Sequence, residues 1–181
     1  MDTAVVWFRD DLRVTDNQTL LDAVDTADRL LPVYVFDPDS YGESEYGPAK
    51  TGPHRLRASL RERGGELFVR RGDPARVVPE LAKAIDADAV FAQTKPATEE
   101  LATEAAVREA LAERDVAFER RWTHTLYHVD DLPTPCDGIQ DTFTPWRKEV
   151  EAEAEIRAPE PAPETVSVPE SPKPGTIPTL A

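Results

Sequence analysis

The sequence predicts an α/β fold in which a five-stranded parallel sheet carries helices on both faces. Two observations predict it: short apolar runs alternate along the chain with amphipathic stretches, and those stretches are long enough to be the helical crossovers that parallel strands require. With 181 residues, of which 40% are hydrophobic, the chain has the size and composition of one globular domain.

Five apolar runs have the length and composition of buried strands. They cover residues 4–8, 30–36, 66–70, 87–92 and 116–120. Their alternation with helices indicates a doubly wound, Rossmann-like sheet with right-handed crossovers. Ligands of such sheets bind beyond the carboxyl ends of the strands, so we expect the functional loops to follow residues 8, 36, 70, 92 and 121.

Three of the intervening stretches carry signals for the start of a helix. We expect Asp16 to cap the first helix, and Asp73, followed by Pro74, to cap the second. Thr98 is expected to cap the third. The predicted buried faces contain Leu20, Leu21 and Val24; then Val77, Val78, Leu81 and Ile85; and finally Leu101, Ala105 and Leu111.

A fourth helix, between Thr51 and the glycine pair at 64–65, has a weak apolar face. That face contains little more than Leu56 and Leu60. A short, charged helix of this kind is expected to cover its part of the sheet poorly.

The character of the chain changes after residue 150. Glutamate and alanine alternate first, and prolines then follow at 159, 161, 163, 169, 172, 174 and 178. This spacing favours an extended segment over a packed helix. We therefore predict an α/β domain over 1–150 and, over 151–181, a linker to a second domain that is absent from this sequence.

The charge distribution indicates the salt conditions in which the protein works and the partners that it can bind. The net charge is −14, the acids are spread along the chain, and the only lysines are Lys50, Lys83, Lys95, Lys148 and Lys173. A uniformly acidic, lysine-poor surface is typical of a halophilic protein, and an acidic mesophilic domain is the alternative. Direct DNA binding is not expected, because phosphate recognition needs clustered cations.

Other function classes are disfavoured by composition. There is no apolar run of transmembrane length and the N-terminus leads directly into a strand, so we expect no membrane insertion and a cytoplasmic location. Cys136 is the only cysteine, which excludes an internal disulfide. His124 and His128 lie in a loop-like context, so no metal site is expected.

The loop after the first strand carries alternating charges at Arg9, Asp10, Asp11 and Arg13. These residues suit either the edge of a ligand pocket or docking surface, or a local ion-pair network that holds the loop. The sequence leaves both interpretations open.

A series of motifs resembles the N-terminal domain of the photolyase/cryptochrome family. In chain order they are WFRDDLR at 7–13 with DN at 16–17, VYVFDP at 33–38, KTGPHR at 50–55, RRGDP at 70–74, TLY at 125–127, DLP at 131–133 and FTPWRKEVE at 143–151. The KTGP, TLY and RKEVE segments are similar to the DASH-type branch of that family.

This resemblance implies a light-dependent function for the full-length protein, either DNA repair by photolyase or blue-light sensing. FAD would lie in a C-terminal helical domain, whereas the N-terminal domain would hold an antenna chromophore, a deazaflavin or a folate, and supply no catalytic residue. By position, the resemblance implies that the chromophore is bound by Arg13, Tyr34, Asp37 and Arg55. Alternatively, Tyr34 is a sheet residue and Asp37 belongs to a turn.

The chain departs from the family pattern at two places. After Arg55 it lacks a stretch of helix that the family normally has. Lys95 occupies the position at which DASH-type members have a glutamate that contacts the folate pterin. An ammonium group cannot accept the N–H donors of a pterin, so folate binding is disfavoured.

Three functions therefore compete. The first is an antenna domain that works with a helical FAD-binding domain or a companion chain and is not catalytic alone. The second is a non-enzymatic module that binds a nucleotide, a flavin or a protein partner. The third is a ligand-free relic of the family.

Overall fold

The computed structural model of the protein describes residues 1–38, 46–139 and 142–178, and for residues 46–50 it describes the backbone alone. The five strands are β1 Thr3–Phe8, β2 Arg29–Phe36, β3 Phe68–Arg71, β4 Ala89–Gln93 and β5 Ala117–Arg121. All pairings are parallel, in the order β3-β2-β1-β4-β5. The predicted fold class is confirmed, and the strand ends differ from the predicted ones by one or two residues.

Helices cover both faces of this sheet. The helices of the described residues are α1 Gln18–Thr26, α2 Tyr46–Arg61, α3 Pro74–Ala84, α4 Thr98–Ala112 and α5 Phe143–Glu153. α1 and α2 pack on one face, and α3 and α4 pack on the other. In the part of the chain that the structure describes, no helix is both long and apolar enough to cross a membrane.

The helix starts follow the predictions at one cap and depart from them at two. Asp73 caps α3 by accepting the Ala75 N–H at 2.8 Å, as expected. The cap of α1 is Asn17, which accepts the Leu20 N–H at 3.0 Å; the prediction of Asp16 was wrong, because Asp16 takes a left-handed conformation with φ of 52° in the preceding turn. α4 begins at Thr98, so Thr98 is not its cap.

The buried face of α4 also differs from the prediction. Leu111 is buried as expected, but Leu101 is 42% exposed and Ala105 is exposed. Glu104 and Val107 point inward instead. The prediction failed because it followed apolar residues alone, whereas an ion pair of Glu104, described below, sets the rotation of this helix.

The C-terminal segment packs against the same face of the sheet as α2. Residues 154–178 contain no helix or strand. Val166 and Ile177 are buried there in the same core as Leu56 and Leu60. The segment thus supplies apolar cover that the weak face of α2 does not provide.

Backbone hydrogen bonds tie the same segment to the sheet. The Leu30 N–H donates to the Ser167 carbonyl at 2.8 Å, and the Val69 N–H donates to the Pro174 carbonyl at 2.6 Å. Val69 lies in β3, an edge strand, so the segment covers hydrogen-bonding groups that the edge would otherwise expose. Gly175 makes this approach possible, because its φ is 82° and a Cβ there would collide with the Val69 carbonyl. The assignment of 151–181 as a linker stays a prediction, and residues 179–181 lie outside the described residues.

If this segment is part of the core, shortening Ile177 will destabilise the fold. Ile177 is 4% exposed, so we expect Ile177→Ala to lower the free energy of unfolding by about 2–4 kcal/mol through lost burial and a residual cavity. Ile156→Ala is the matched control, since Ile156 is 55% exposed and its loss should cost less than about 0.5 kcal/mol. Urea unfolding at multimolar KCl measures both, and equal costs would contradict the role of the segment in the core.

Candidate ligand site at the carboxyl edge of the sheet

Two concavities lie at the carboxyl edge of the sheet, on opposite faces. The first, which we name the Tyr34 crevice, has a volume of about 50 Å³ and borders α3 and α4; its lining includes Tyr34, Asp37, Lys95, Glu100 and Thr103. The second, which we name the Trp122 cleft, has a volume of about 320 Å³ and borders α1 and the C-terminal segment; its lining includes Arg13, Gln18, Trp122, Thr123, His128 and Glu160.

A buried arginine organises the edge beside the Tyr34 crevice. Arg9 directly follows β1, and only 5% of its side chain is exposed. Its guanidinium pairs with the carboxylates of Glu100 and Glu104 on α4 and donates to the Gln93 carbonyl at 3.1 Å. It also lies 4.8 Å from the centre of the Trp7 ring. Because a buried charge is stable only when it is paired and hydrogen-bonded, these contacts determine how α4 sits on the sheet.

Lys95, in the loop after β4, extends this network across the crevice. Its ammonium lies 2.8 Å from the Asp10 carboxylate and pairs with Glu100 as well. Burial lowers the pKa of Lys95, but the hydrogen bonds to Asp10 and Glu100 outweigh burial and raise the pKa above its ordinary value. Lys95 is therefore a charged, fully engaged cation. Of the two interpretations of the loop after β1, the ion-pair network describes Arg9 and Asp10.

The size and lining of the Tyr34 crevice do not fit a fused-ring chromophore. A volume of 50 Å³ corresponds to about one or two water molecules. Sites for organic cofactors start at about 300 Å³. The Trp122 cleft, at 320 Å³, reaches that size.

The four chromophore-binding residues implied by the resemblance do not form one site. Tyr34 and Asp37 line the Tyr34 crevice together, and the ring of Tyr34 is buried edge-to-face against Phe36 with centroids 4.8 Å apart. Arg13 lines the Trp122 cleft on the other face. Arg55 is exposed on α2 and belongs to the lining of neither concavity. Their roles in ligand binding stay predictions.

Trp122 and Thr123, which directly follow β5, line the Trp122 cleft, and Gln93 at the end of β4 contacts Thr123 without lining the cleft itself. Trp122 directly follows β5, and its indole N–H donates to the Thr125 hydroxyl at 2.7 Å. The hydroxyl of Thr123 accepts the Nε2–H of Gln93 at 2.7 Å. Gln93, the last residue of β4, is 2% exposed, and its Oε1 has no hydrogen-bond partner among the described residues.

Trp122 and Thr123 lie in the functional loop that the sequence predicts after residue 121. The residues themselves were not singled out from the sequence. The signal that could have identified them is the pair of polar side chains, Gln93 and Thr123, that follow two apolar strand runs at adjacent positions of the sheet.

Cations and exposed apolar side chains surround the cleft. The Nε of Arg13 donates to the Asp16 carbonyl at 3.0 Å, while the guanidinium is 4.0 Å from the Asp16 carboxylate and 41% exposed. Arg157 makes a two-point contact with Asp131 at 2.6 and 2.8 Å, and this bond holds the pKa of Asp131 below its ordinary value. Two apolar side chains that line the cleft, Leu126 and Ile156, are 69% and 55% exposed.

Asp11 holds the loop that separates the two concavities. It is fully buried, and its carboxylate accepts the Arg9 N–H at 2.9 Å and the Asn17 amide at 3.4 Å. Burial raises the pKa of Asp11 despite these hydrogen bonds and the nearby charge of Arg13.

The buried pair of Arg9 and Glu104 should dominate local stability. We expect Glu104→Gln to lower the free energy of unfolding by about 3–5 kcal/mol, because the substitution leaves the Arg9 charge buried with one fewer anion. Glu80→Gln is the matched control: Glu80 pairs with Arg76 on the exposed face of α3, where ion pairs contribute less than about 1 kcal/mol. Chemical denaturation measures both, and a Glu104→Gln protein as stable as the control would contradict the assignment.

Asp11 should make the free energy of unfolding depend on pH, in a direction that follows from its raised pKa. A carboxyl group whose pKa is raised on folding binds more protons in the folded state, so its contribution to stability is greatest at low pH and is lost as the pH rises through the folded-state pKa. We therefore expect Asp11→Asn, which keeps an acceptor for the Arg9 N–H, to become more stable relative to wild type as the pH increases from 4 to 7. A stability difference that does not change with pH would show that the pKa of Asp11 is not raised.

Comparisons with known proteins agree with this architecture. The family model for DNA photolyase matches residues 4–166. Cryptochrome DASH from Natronomonas pharaonis is 63% identical over 99% of this chain, and cryptochrome DASH from Gloeobacter violaceus is 40% identical over 99%. The crystal structure of the Synechocystis sp. PCC6803 cryptochrome superposes with a TM-score of 0.87, at 29% identity over 99% of this chain.

In each of these three proteins the matched region is about two-fifths of the whole: 40% of the Natronomonas protein, 38% of the Gloeobacter protein and 40% of the Synechocystis chain. The halophilic character predicted from composition fits the relative from Natronomonas pharaonis. The chain thus belongs to the DNA photolyase family, and it corresponds to the N-terminal α/β domain of the cryptochrome DASH proteins.

Proposed function

We propose that this chain is the antenna domain of a DASH-type protein and that it holds a light-harvesting chromophore at the carboxyl edge of its sheet. The Trp122 cleft carries the proposal: it lies where ligands of doubly wound sheets bind, and its volume of 320 Å³ suits an organic ring system. Arg13, one of the four residues implied by the resemblance, lines it.

A deazaflavin or another flavin-like ring suits this chain better than a folate. Lys95, which replaces the glutamate expected to contact a pterin, is engaged by Asp10 and Glu100 and offers no acceptor. The sequence also contains neither a G-x-G-x-x-G nor a P-loop motif for phosphates.

Catalysis belongs, in this proposal, to the full-length protein. FAD would be held by a helical domain or a companion chain, and the acidic α/β domain would make no direct contact with DNA. The proposal includes a cytoplasmic location, supported by the single cysteine, which permits no internal disulfide.

Docking of a protein partner is a second candidate function, favoured by one observation. Leu126 and Ile156, which both line the Trp122 cleft, are exposed. Apolar side chains exposed together on a surface typically mark an interaction site. The corresponding partner is the helical FAD-binding domain.

An absorption spectrum tests the antenna function directly. We expect the chain, purified without refolding at multimolar KCl, to show a near-UV or blue band from a bound chromophore. Arg13→Ala should reduce the bound chromophore about tenfold if the guanidinium pairs with an anionic group of the ligand.

Arg55→Ala is the matched control, because Arg55 is exposed and lies outside both concavities. It should leave the band unchanged. A folded but colourless wild-type chain that also binds no added flavin would contradict the antenna function and favour partner docking.

A further inference from the structure

The charge of this acidic chain is unevenly distributed. Residues 51–76 contain seven of the 21 lysines and arginines but only three of the 35 aspartates and glutamates. Seven cations against three anions give this stretch a net charge of +4, which leaves −18 of the total of −14 on the rest of the chain. The stretch contains most of α2, all of β3 and the first turn of α3. The acidic surface is therefore interrupted by one cationic region.

Hydrogen bonds bring cations of this region together with the C-terminal segment at the edge of β3. Arg57 donates to the Gly175 carbonyl at 3.4 Å. Arg70 donates to the carbonyls of Pro174 and Lys173 at 3.2 and 3.0 Å. These contacts place α2, β3 and the C-terminal segment side by side. We name the five cations of this surface the basic edge: Arg57 and Arg61 on α2, Arg70 and Arg71 in β3, and Lys173 in the C-terminal segment.

Among the described residues, Glu66 is the one carboxylate that pairs with the basic edge. It accepts the Nε–H of Arg57 at 2.6 Å and two hydrogen bonds from Arg61 at 3.0 and 2.8 Å. Burial raises the pKa of Glu66, but the hydrogen bonds from the two arginines outweigh burial and hold the pKa below its ordinary value. The basic edge thus has five cations and a single anion, which is fully engaged.

Arg70 shows most clearly that this surface is short of anions. Its guanidinium is half-buried, and its hydrogen bonds within the described chain go to carbonyl oxygens, including that of Val69 at 2.8 Å. Burial lowers the pKa of Arg70, and no neighbouring anion opposes that effect. Because a cation removed from water is stabilised by a paired anion, an anion from another molecule would stabilise Arg70.

High salt makes this local charge more important for binding than the net charge of −14. At about 1 M salt the screening length falls to about 3 Å, so the acids elsewhere on the chain do not repel an anion that reaches the basic edge. Ion pairs that are partly buried are screened much less than exposed ones. A partner must therefore cover the ion pairs that it makes here.

These conditions favour the carboxylates of a protein over the phosphates of a nucleic acid. The planar fork of arginine matches a carboxylate, and Arg61 already contacts Glu66 through two nitrogens. Nucleic-acid binding depends on counterion release, and its affinity falls by nearly one power of the salt concentration for each phosphate that is neutralised. A protein surface, in contrast, buries part of each ion pair in the interface.

We propose that the basic edge is a docking surface for an acidic segment of another protein, whose carboxylates pair with Arg70, Arg71 and Lys173. The five cations line neither the Tyr34 crevice nor the Trp122 cleft. The inference is therefore independent of the proposed antenna function.

A fluorescein-labelled oligoglutamate peptide is the probe, and fluorescence anisotropy measures its binding to the full chain at 1 M KCl. We expect wild type to bind, and Arg71→Glu and Lys173→Glu each to raise the Kd at least about fivefold, since each replaces an attraction by a repulsion. Both side chains are exposed and make no ion pair within the described part of the chain, so both variants should fold. Circular dichroism at the same salt concentration establishes this.

Arg108→Glu is the matched control. Arg108 is exposed on α4, and reversing its charge changes the net charge of the chain by the same amount. It should leave the Kd within about twofold of wild type. An equal rise in the Kd for this variant would overturn the inference, because the net charge and not the basic edge would then govern binding.

Three further results would overturn the proposal, and none of them bears on the antenna function. The first is a folded wild-type chain that does not bind the peptide. The second is tighter binding of a DNA duplex than of the peptide, weakened by Arg71→Glu, which would identify the basic edge as a phosphate site. The third is self-association in sedimentation velocity that Lys173→Glu abolishes, which would make the partner a second copy of this chain.

Discussion

The buried guanidinium of Arg9 is the constraint on which the carboxyl edge of the sheet depends. Arg9 follows β1, the central strand, at the point where the connections that leave β1 and β4, through α1 and α4, go to opposite faces of the sheet. A cation buried there must be met by anions from a neighbouring element, and α4 supplies Glu100 and Glu104. That requirement rotates α4 so that Glu104 points inward and Leu101 outward, against its apolar pattern. Ligands of doubly wound sheets often bind at this point, and here paired side chains fill the α3 and α4 side of it.

The other side of the edge stays open because the loop after β1 is held from within. Asp11 accepts the Arg9 N–H, and Asn17 donates to the carbonyls of Asp11 and Arg13 while it caps α1. The C-terminal segment completes the wall, since the Asp16 N–H donates to the Glu160 carbonyl at 2.8 Å. Later residues of the same segment, Val166 and Ile177, cover the sheet beside α2. Stability of the α2 face and the shape of the Trp122 cleft are therefore coupled through one stretch of chain.

The strands and the fold class were predictable because they depend on local apolar runs, and the cap at Asp73 because it depends on neighbouring residues. The predictions that failed concern residues whose burial depends on partners far away in the sequence. No local signal distinguishes Glu104 from the exposed glutamates of α4, since its burial follows from Arg9, 95 positions away. The C-terminal segment has the composition of a linker, yet Val166 and Ile177, spaced among prolines, are buried in the core, and Ala162 and Val168 pack against it. Tyr34 and Asp37, which the resemblance assigns to one site, line the same crevice, but position in the sequence alone cannot show that Arg13 lies on the other face.

The acidic composition indicates which contacts can hold a ligand in the Trp122 cleft. At salt concentrations of 1 M or more, the screening length falls to about 3 Å, so the exposed Arg13 attracts an anion only at contact. The buried pairs of Arg9 are screened far less and keep their structural role. Stacking and buried hydrogen bonds are likewise little affected by salt, and apolar association is strengthened by ions that are excluded from protein surfaces. A ligand that Arg13 binds in the Trp122 cleft, as proposed above, would therefore have to place its anionic group in direct contact with the guanidinium.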